Sequence, residues 1–108
     1  MKDAPAEQRA WALFNRGVTH GKKGERDKAL ADYTVVIDMK DVPAEQRAKA
    51  LRNRGVTYKE KGEREKALAD YTAVIDMKDA PRWLKTLAGE QIEKIKKPVT
   101  KPEQNTSL

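Results

Sequence analysis

Apolar and polar positions along this chain follow one pattern that occurs twice. Residues 2–39 read KDAPAEQRAWALFNRGVTHGKKGERDKALADYTVVIDM, and residues 40–77 read KDVPAEQRAKALRNRGVTYKEKGEREKALADYTAVIDM. The period is 38 residues, and 30 of the 38 aligned positions are identical. A third start at Lys78-Asp79-Ala80-Pro81 gives way to a different run, RWLKTLAGEQIEKIKK. A fixed period of this size marks a repeat architecture, whose unit buries its apolar face only against a neighbour.

Each unit predicts two helices. The first follows Asp3-Ala4-Pro5, because proline suits an opening turn where its missing N–H had no partner. It should reach about residue 22, with Gly24, and Gly62 in the second unit, breaking the pattern. The second helix should run from about residue 26 to 39. There Ala29, Leu30, Tyr33, Val36 and Ile37 form one apolar face, as do Ala67, Leu68, Tyr71, Val74 and Ile75 one period later. On a helical wheel Ala6, Ala10, Leu13, Gly17 and His20 share an arc that should face the unit's own second helix. Gly17 permits close approach. Trp11, Phe14 and Val18 occupy an adjacent arc, and Arg9 and Arg16 the far side.

A last helix is predicted over about residues 81–97. Trp83, Leu84, Leu87, Ala88 and Ile95 lie along one side, with Ile92 at the margin, and should cover the open edge of the second unit. The expected divisions are 1–39, 40–77, a capping helix over 78–97, and a disordered tail over 98–108 with little to bury.

The run Ala12-Leu13-Phe14-Asn15-Arg16-Gly17-Val18-Thr19-His20, then Gly24, Ala29, Tyr33 and Val36-Ile37-Asp38-Met39, resembles the tetratricopeptide repeat. Leu51, Asn53, Gly55, Tyr58, Gly62, Ala67 and Tyr71 carry the likeness in the second unit. The resemblance implies an all-α fold, a right-handed α-α superhelical solenoid of five helices: two helix-turn-helix repeats and a cap. The family's usual period is 34, so four extra residues should lengthen the helix ends or the inter-repeat turn. Arg16 and Arg54 stand where the family commonly has an apolar residue, and are expected to snorkel along the helix edge.

In such arrays the first helices line a concave groove that binds partners. Carried over to matching positions, the wall is Trp11, Phe14, Asn15, Val18, Lys49, Arg52, Asn53 and Val56, with Lys22 and the edge of Tyr58. Trp11 becomes Lys49 and Phe14 becomes Arg52 between units, so the wall changes from aromatic to basic while the packing positions stay constant. A peptide or protein segment with an apolar anchor and a carboxylate would suit it. The alternatives are that Trp11 and Phe14 pack within the chain or contact another protomer. The resemblance also implies a carboxylate clamp in chaperone-tail-binding members. Here Phe14 with Val18, and Arg52 with Val56, leave that signature incomplete, so that partner is not expected. Two aromatics burying about 150–250 Å² each contribute roughly 7–12 kcal/mol against an association cost of about 4–15. Affinity should therefore be about micromolar.

Composition narrows the function. The chain has 108 residues, 37% charged and 38% hydrophobic, and no cysteine. Disulfides, thiolate metal sites and cysteine nucleophiles are excluded. The net charge is +6, but 23 basic and 17 acidic side chains are interspersed, as on a solvated helical surface, so nucleic-acid binding is the third reading. No apolar run follows Met1 and none approaches bilayer length, so neither a signal peptide nor a membrane span is expected, and a cytoplasmic setting is. The lone His20 reads as a packed histidine. Gly21-Lys22-Lys23-Gly24 reads as a helix-ending turn. Asp38 and Asp76 lie near helix ends on faces expected to be exposed. Asn105-Thr106-Ser107 and the terminal Thr106-Ser107-Leu108 match short motifs without context. The sequence therefore points to a non-catalytic interaction module without cofactor or metal, with self-association as the runner-up.

Overall fold

A computed structural model describes residues 5–96 of the chain. Among them are five α-helices: α1 (Ala6–Lys22), α2 (Arg26–Asp38), α3 (Ala44–Glu60), α4 (Arg64–Asp76) and α5 (Arg82–Lys96). Each packs against the next in the chain, α1 also meets α3, and α3 meets α5. This is an all-α arrangement consistent with a repeat solenoid. The tail expected to be disordered lies outside the described residues, as does residue 97.

Local chemistry sets the boundaries. Pro5 and Pro43 sit one position before their helices, and the Pro5 carbonyl accepts the N–H groups of Gln8 and Arg9. The first helices end in paired reversals. Glu25 N–H bonds the His20 carbonyl and Gly24 N–H the Gly21 carbonyl, while Glu63 and Gly62 repeat this on Tyr58 and Lys59. Both Gly24 and Gly62 have φ of +81°, a left-handed conformation that costs a residue with a Cβ. The second helices stop at Asp38 and Asp76, one residue short of the predicted end, because Met39 and Met77 turn extended.

Within each hairpin the helices meet at a glycine and a tyrosine. A Cβ placed on Gly17 would fall 2.7 Å from Tyr33 Cε1, and one on Gly55 would fall 2.7 Å from Tyr71 Cε1. The tyrosine rings therefore lie directly on the backbone of the first helix. Around them form two buried clusters. One contains Ala10, Ala29, Tyr33, Val36, Val42 and Ala50; the other centres on Leu51, Tyr71, Val74, Leu84, Ala88 and Ile95. Ile37 packs against both and ties the units together.

Three expectations from the apolar pattern need correction. Ile75 is 37% exposed, because α5 covers its face less completely than α3 covers that of Ile37. Trp83 is 51% exposed rather than seated with Leu84 under the cap. Arg16 and Arg54 do not merely snorkel. Arg16 donates from Nε and Nη2 to both carboxylate oxygens of Asp32, at 2.9 and 2.8 Å. Arg54 grips Asp70 in the same way, at 2.8 Å twice. Both aspartates are buried, so each arginine satisfies a carboxylate that burial would otherwise penalise. His20 is half-buried, and its Nδ1 lies 2.7 Å from Glu25 Oε1.

The glycines give opposite predictions for one substitution. Gly55→Ala should cost about 1–3 kcal/mol, because the Tyr71 ring has no room to retreat. Gly21→Ala should stabilise by about 0.5–1 kcal/mol, since a Cβ there meets nothing within 4 Å and the site is helical. Urea unfolding of the two variants checks the sign of each.

The Arg16–Asp32 pair predicts acid sensitivity. The Arg16 bond holds the Asp32 carboxyl below its ordinary range, although burial opposes it. Such a group stabilises the fold above its unfolded pKa of about 3.9, and that stability is lost as pH falls through the lower folded value. The thermal midpoint should therefore drop as pH falls below about 4, and Asp32→Asn should start lower and fall less steeply. At neutral pH Asp70→Asn should cost about 2 kcal/mol against about 1 for Asp32→Asn, because the Arg54 side chain is 19% exposed and that of Arg16 64%.

Candidate functional site

The first helices α1 and α3, with α5, form the face that carries the wall residues. Trp11 is 44% exposed, and its ring centroid lies 5.6 Å from that of Phe14. Phe14 is half-buried and continues inward to Tyr33, 5.8 Å away. It is partly a packing residue, whereas Trp11 is the more exposed of the two. On α3, Lys49 places its ammonium 5.2 Å from the Trp11 centroid and 5.7 Å from that of Trp83. One cation thus sits between two exposed indoles from different helices, an attraction of about 0.5–1 kcal/mol each at such sites.

Two concavities flank the next turn of α3. The first, about 220 Å³, is lined by Phe14, Lys49, Arg52, Asn53, Trp83 and Leu84. The second, about 360 Å³, is bordered by Val18, Lys22, Tyr33, Arg52, Val56 and Glu60, among others. Arg52 and Asn53 form the ridge between them. Arg52 Nη1 donates to Asn53 Oδ1 at 3.2 Å, and its buried Nε has no hydrogen-bond partner among the described residues. Burial raises the pKa of the Tyr33 hydroxyl, with the Asn53 side chain opposing. Burial pushes the Tyr71 phenol up to about 12, with the Arg52 charge opposing, and its buried hydroxyl has no hydrogen-bond partner among the described residues.

The predicted wall residues are therefore placed as follows. Trp11 borders a separate hollow of about 210 Å³ with Pro43, Glu45 and Lys49. Phe14, Val18, Lys49, Arg52, Asn53 and Val56 line the concavities along α3. Asn15 is exposed and lines none of those described. Tyr58, given only an edge in the reading from sequence, instead receives Arg54 and Lys66 over its ring at 5.7 and 5.5 Å.

Trp83 and Glu60 were missed. Trp83 fits the apolar stripe of α5, so its wheel position argued for the core. The available signal was that it replaces the exposed Glu7 and Glu45 of the earlier units, at the 38-residue offset. Glu60 puts an acidic group in an otherwise basic wall, and it also pairs with Arg26 at 3.4 Å.

The described residues hold no group of three His, Cys, Asp or Glu side chains placed to bind a metal ion. Among them no helix is long and apolar enough to cross a membrane. Comparison with protein families matches residues 48–81 to the tetratricopeptide repeat. The match starts four residues inside α3, which puts the excess of the 38-residue period at the front of the first helix. No curated protein and no solved structure matched the chain.

Proposed function

We propose that this chain, a tetratricopeptide-repeat protein, binds a peptide or protein segment along the face formed by its first helices. Repeats of this family generally mediate protein–protein interaction and are typically non-catalytic. The observation that carries the finer reading is the exposed pair Trp11 and Trp83, set either side of Lys49 beside the Arg52–Asn53 ridge. Exposed tryptophan next to arginine is the composition of interface hot spots. The indoles suit an apolar anchor. Lys49 and Arg52 suit a carboxylate one helical turn away, with arginine able to bond it twice. Phe14, Val18 and Val56 provide apolar floor, and Asn53 positions Arg52 through its side-chain oxygen. Asn15 belongs to the wall only through its place in the repeat.

The reading needs no cofactor and accords with action in the cytoplasm. It favours a short acidic–aromatic segment over nucleic acid, because Glu60 and the Glu45 partner of Lys49 interrupt the basic surface.

A panel of acidic peptides containing Trp, Phe or Leu, read by fluorescence polarisation, tests this. The tightest should bind at about micromolar affinity. Trp11→Ala and Arg52→Ala should each weaken it by about tenfold, with unchanged circular dichroism. Trp83→Ala should do likewise, which separates this site from one confined to α1. Retained affinity in all three variants, or their loss of helicity, contradicts the proposal. Binding of oligonucleotides with a steep salt dependence would favour the nucleic-acid alternative instead.

A further inference from the structure

The family match begins at residue 48, so the opening turn of α3, residues 44–47, is an addition to the matched pattern. Residues 6–9 open α1 with the same sequence, AEQR. Between these two turns lies the hollow of about 210 Å³, lined by Glu7, Trp11, Pro43, Glu45, Gln46 and Lys49. Its chemistry differs from that of the Arg52–Asn53 ridge. Glu7 and Glu45 bring two carboxylates, Trp11 an indole that is 44% exposed, and Gln46 a side-chain oxygen. The cap does not repeat this set. One period after Glu45, Gln46 and Lys49 stand Trp83, Leu84 and Leu87.

A carboxylate in a first turn is already favoured by the helix dipole, so Glu7 and Glu45 alone would mark nothing. Gln46 adds an independent observation. Its Oε1 is buried and has no hydrogen-bond partner among the described residues. A buried acceptor without a donor carries the cost of its lost hydration. Gln8, its counterpart on α1, is exposed and meets water. The cations nearby are committed elsewhere. Lys49 pairs with Glu45 at 3.5 Å and holds its ammonium beside both indoles. Arg47 donates to the carbonyls of Ile37 and Met39.

We infer that this hollow is a seat for the guanidinium of an arginine in the bound segment, stacked on the free part of the Trp11 indole and donating to Glu7 and Gln46 Oε1. A guanidinium meets these demands together, because its face stacks on an aromatic ring while its edge donates several N–H groups. An ammonium is a compact, strongly hydrated charge, and Lys49 already supplies one. A carboxylate is repelled at this end by Glu7 and drawn to Arg52 instead. The surface therefore has an acidic end and a basic ridge, which fixes the direction in which a segment carrying both charges lies. This seat rests on the groove reading above for the rest of the segment and adds the charge required at the Trp11 end.

The test remakes the acidic peptides with arginine scanned through the positions on either side of the apolar anchor, read by fluorescence polarisation with the full chain. At one position arginine should tighten binding by about three- to tenfold over the arginine-free parent. Citrulline there, its uncharged isostere, should give no gain. Glu7→Gln and Gln46→Leu should each cancel most of the gain, leave the parent's affinity unchanged and keep the circular dichroism of the wild type. No gain at any position, an equal gain from citrulline, or a gain that survives both substitutions overturns the seat and leaves the groove reading intact. If no peptide binds, the groove reading fails by itself and the seat is read directly. In a Trp83→Phe chain Trp11 is the sole tryptophan. N-acetyl-arginine amide should then change its emission saturably, N-acetyl-citrulline amide should not, and Glu7→Gln should weaken the response. An unsaturable change, or the same response to both compounds, overturns the seat.

Discussion

Contact between a tyrosine ring and a glycine backbone governs the spacing of both hairpins. Tyr33 lies on Gly17 and Tyr71 on Gly55 at distances that leave no volume for one carbon more. Everything beyond the hairpin inherits this separation. With the helices held so close, small residues such as Ala10, Ala29, Ala48 and Ala67 suffice to fill the contact, and all four are fully buried. A packed interior transmits a misfit of this kind rather than absorbing it. The tyrosines also carry the contact onward, since Tyr33 borders the larger concavity and its hydroxyl meets Asn53 of the next unit. Hairpin packing and the lining of the candidate site are thus two faces of one residue.

Ionic chemistry works at a second level. The Arg16–Asp32 and Arg54–Asp70 clamps join the two helices within each unit, while Arg47 and the second reach of Arg54 join one unit to the previous one. Placing arginine rather than an aliphatic residue at this position serves both purposes, because a planar fork can hold a carboxylate and still present another N–H. Outer pairs such as Lys61–Asp27 span the same junction in solvent and contribute little by themselves. The result is a junction defined by a buried alanine, a shared Ile37 and directional bonds at its rim.

Conservation of the packing set between the units, beside change at Trp11/Lys49 and Phe14/Arg52, separates scaffold from surface. The scaffold must be periodic to stack. The surface has no such constraint, and a run of aromatic, cationic and aromatic groups across α1, α3 and α5 results. It is assembled from three helices, so no single repeat contains it. The end of the stack obeys the same logic: α5 keeps Ala88 at the position of Ala50 but carries Lys85 and Ile92 where α3 has Arg47 and Arg54. It closes the second unit by apolar contact and by a different polar rim, in which Lys59 donates to Gln91 Oε1 and Arg64 to the Ile95 carbonyl.

Much of this was legible in the chain alone. Helix positions follow from glycine, proline and apolar spacing, which are local properties, and the boundaries within the described residues differ by a residue at most. The close approach at Gly17 was readable because a glycine amid strong helix formers has few other uses. The partnership of Arg16 with Asp32 was not, for 16 residues and a chain reversal separate them, and either residue alone suits a solvated surface. The wheel misplaced Trp83 because it gives direction but not depth, and depth depends on what the neighbouring helix covers; only the glutamates at its repeat position pointed outward. The same limit explains why Ala12 and Ala50, alike in sequence and setting, differ completely in exposure. Periodicity determines which faces are adhesive; only the packed assembly decides which of them are already occupied, because burial belongs to pairs of surfaces and not to a residue.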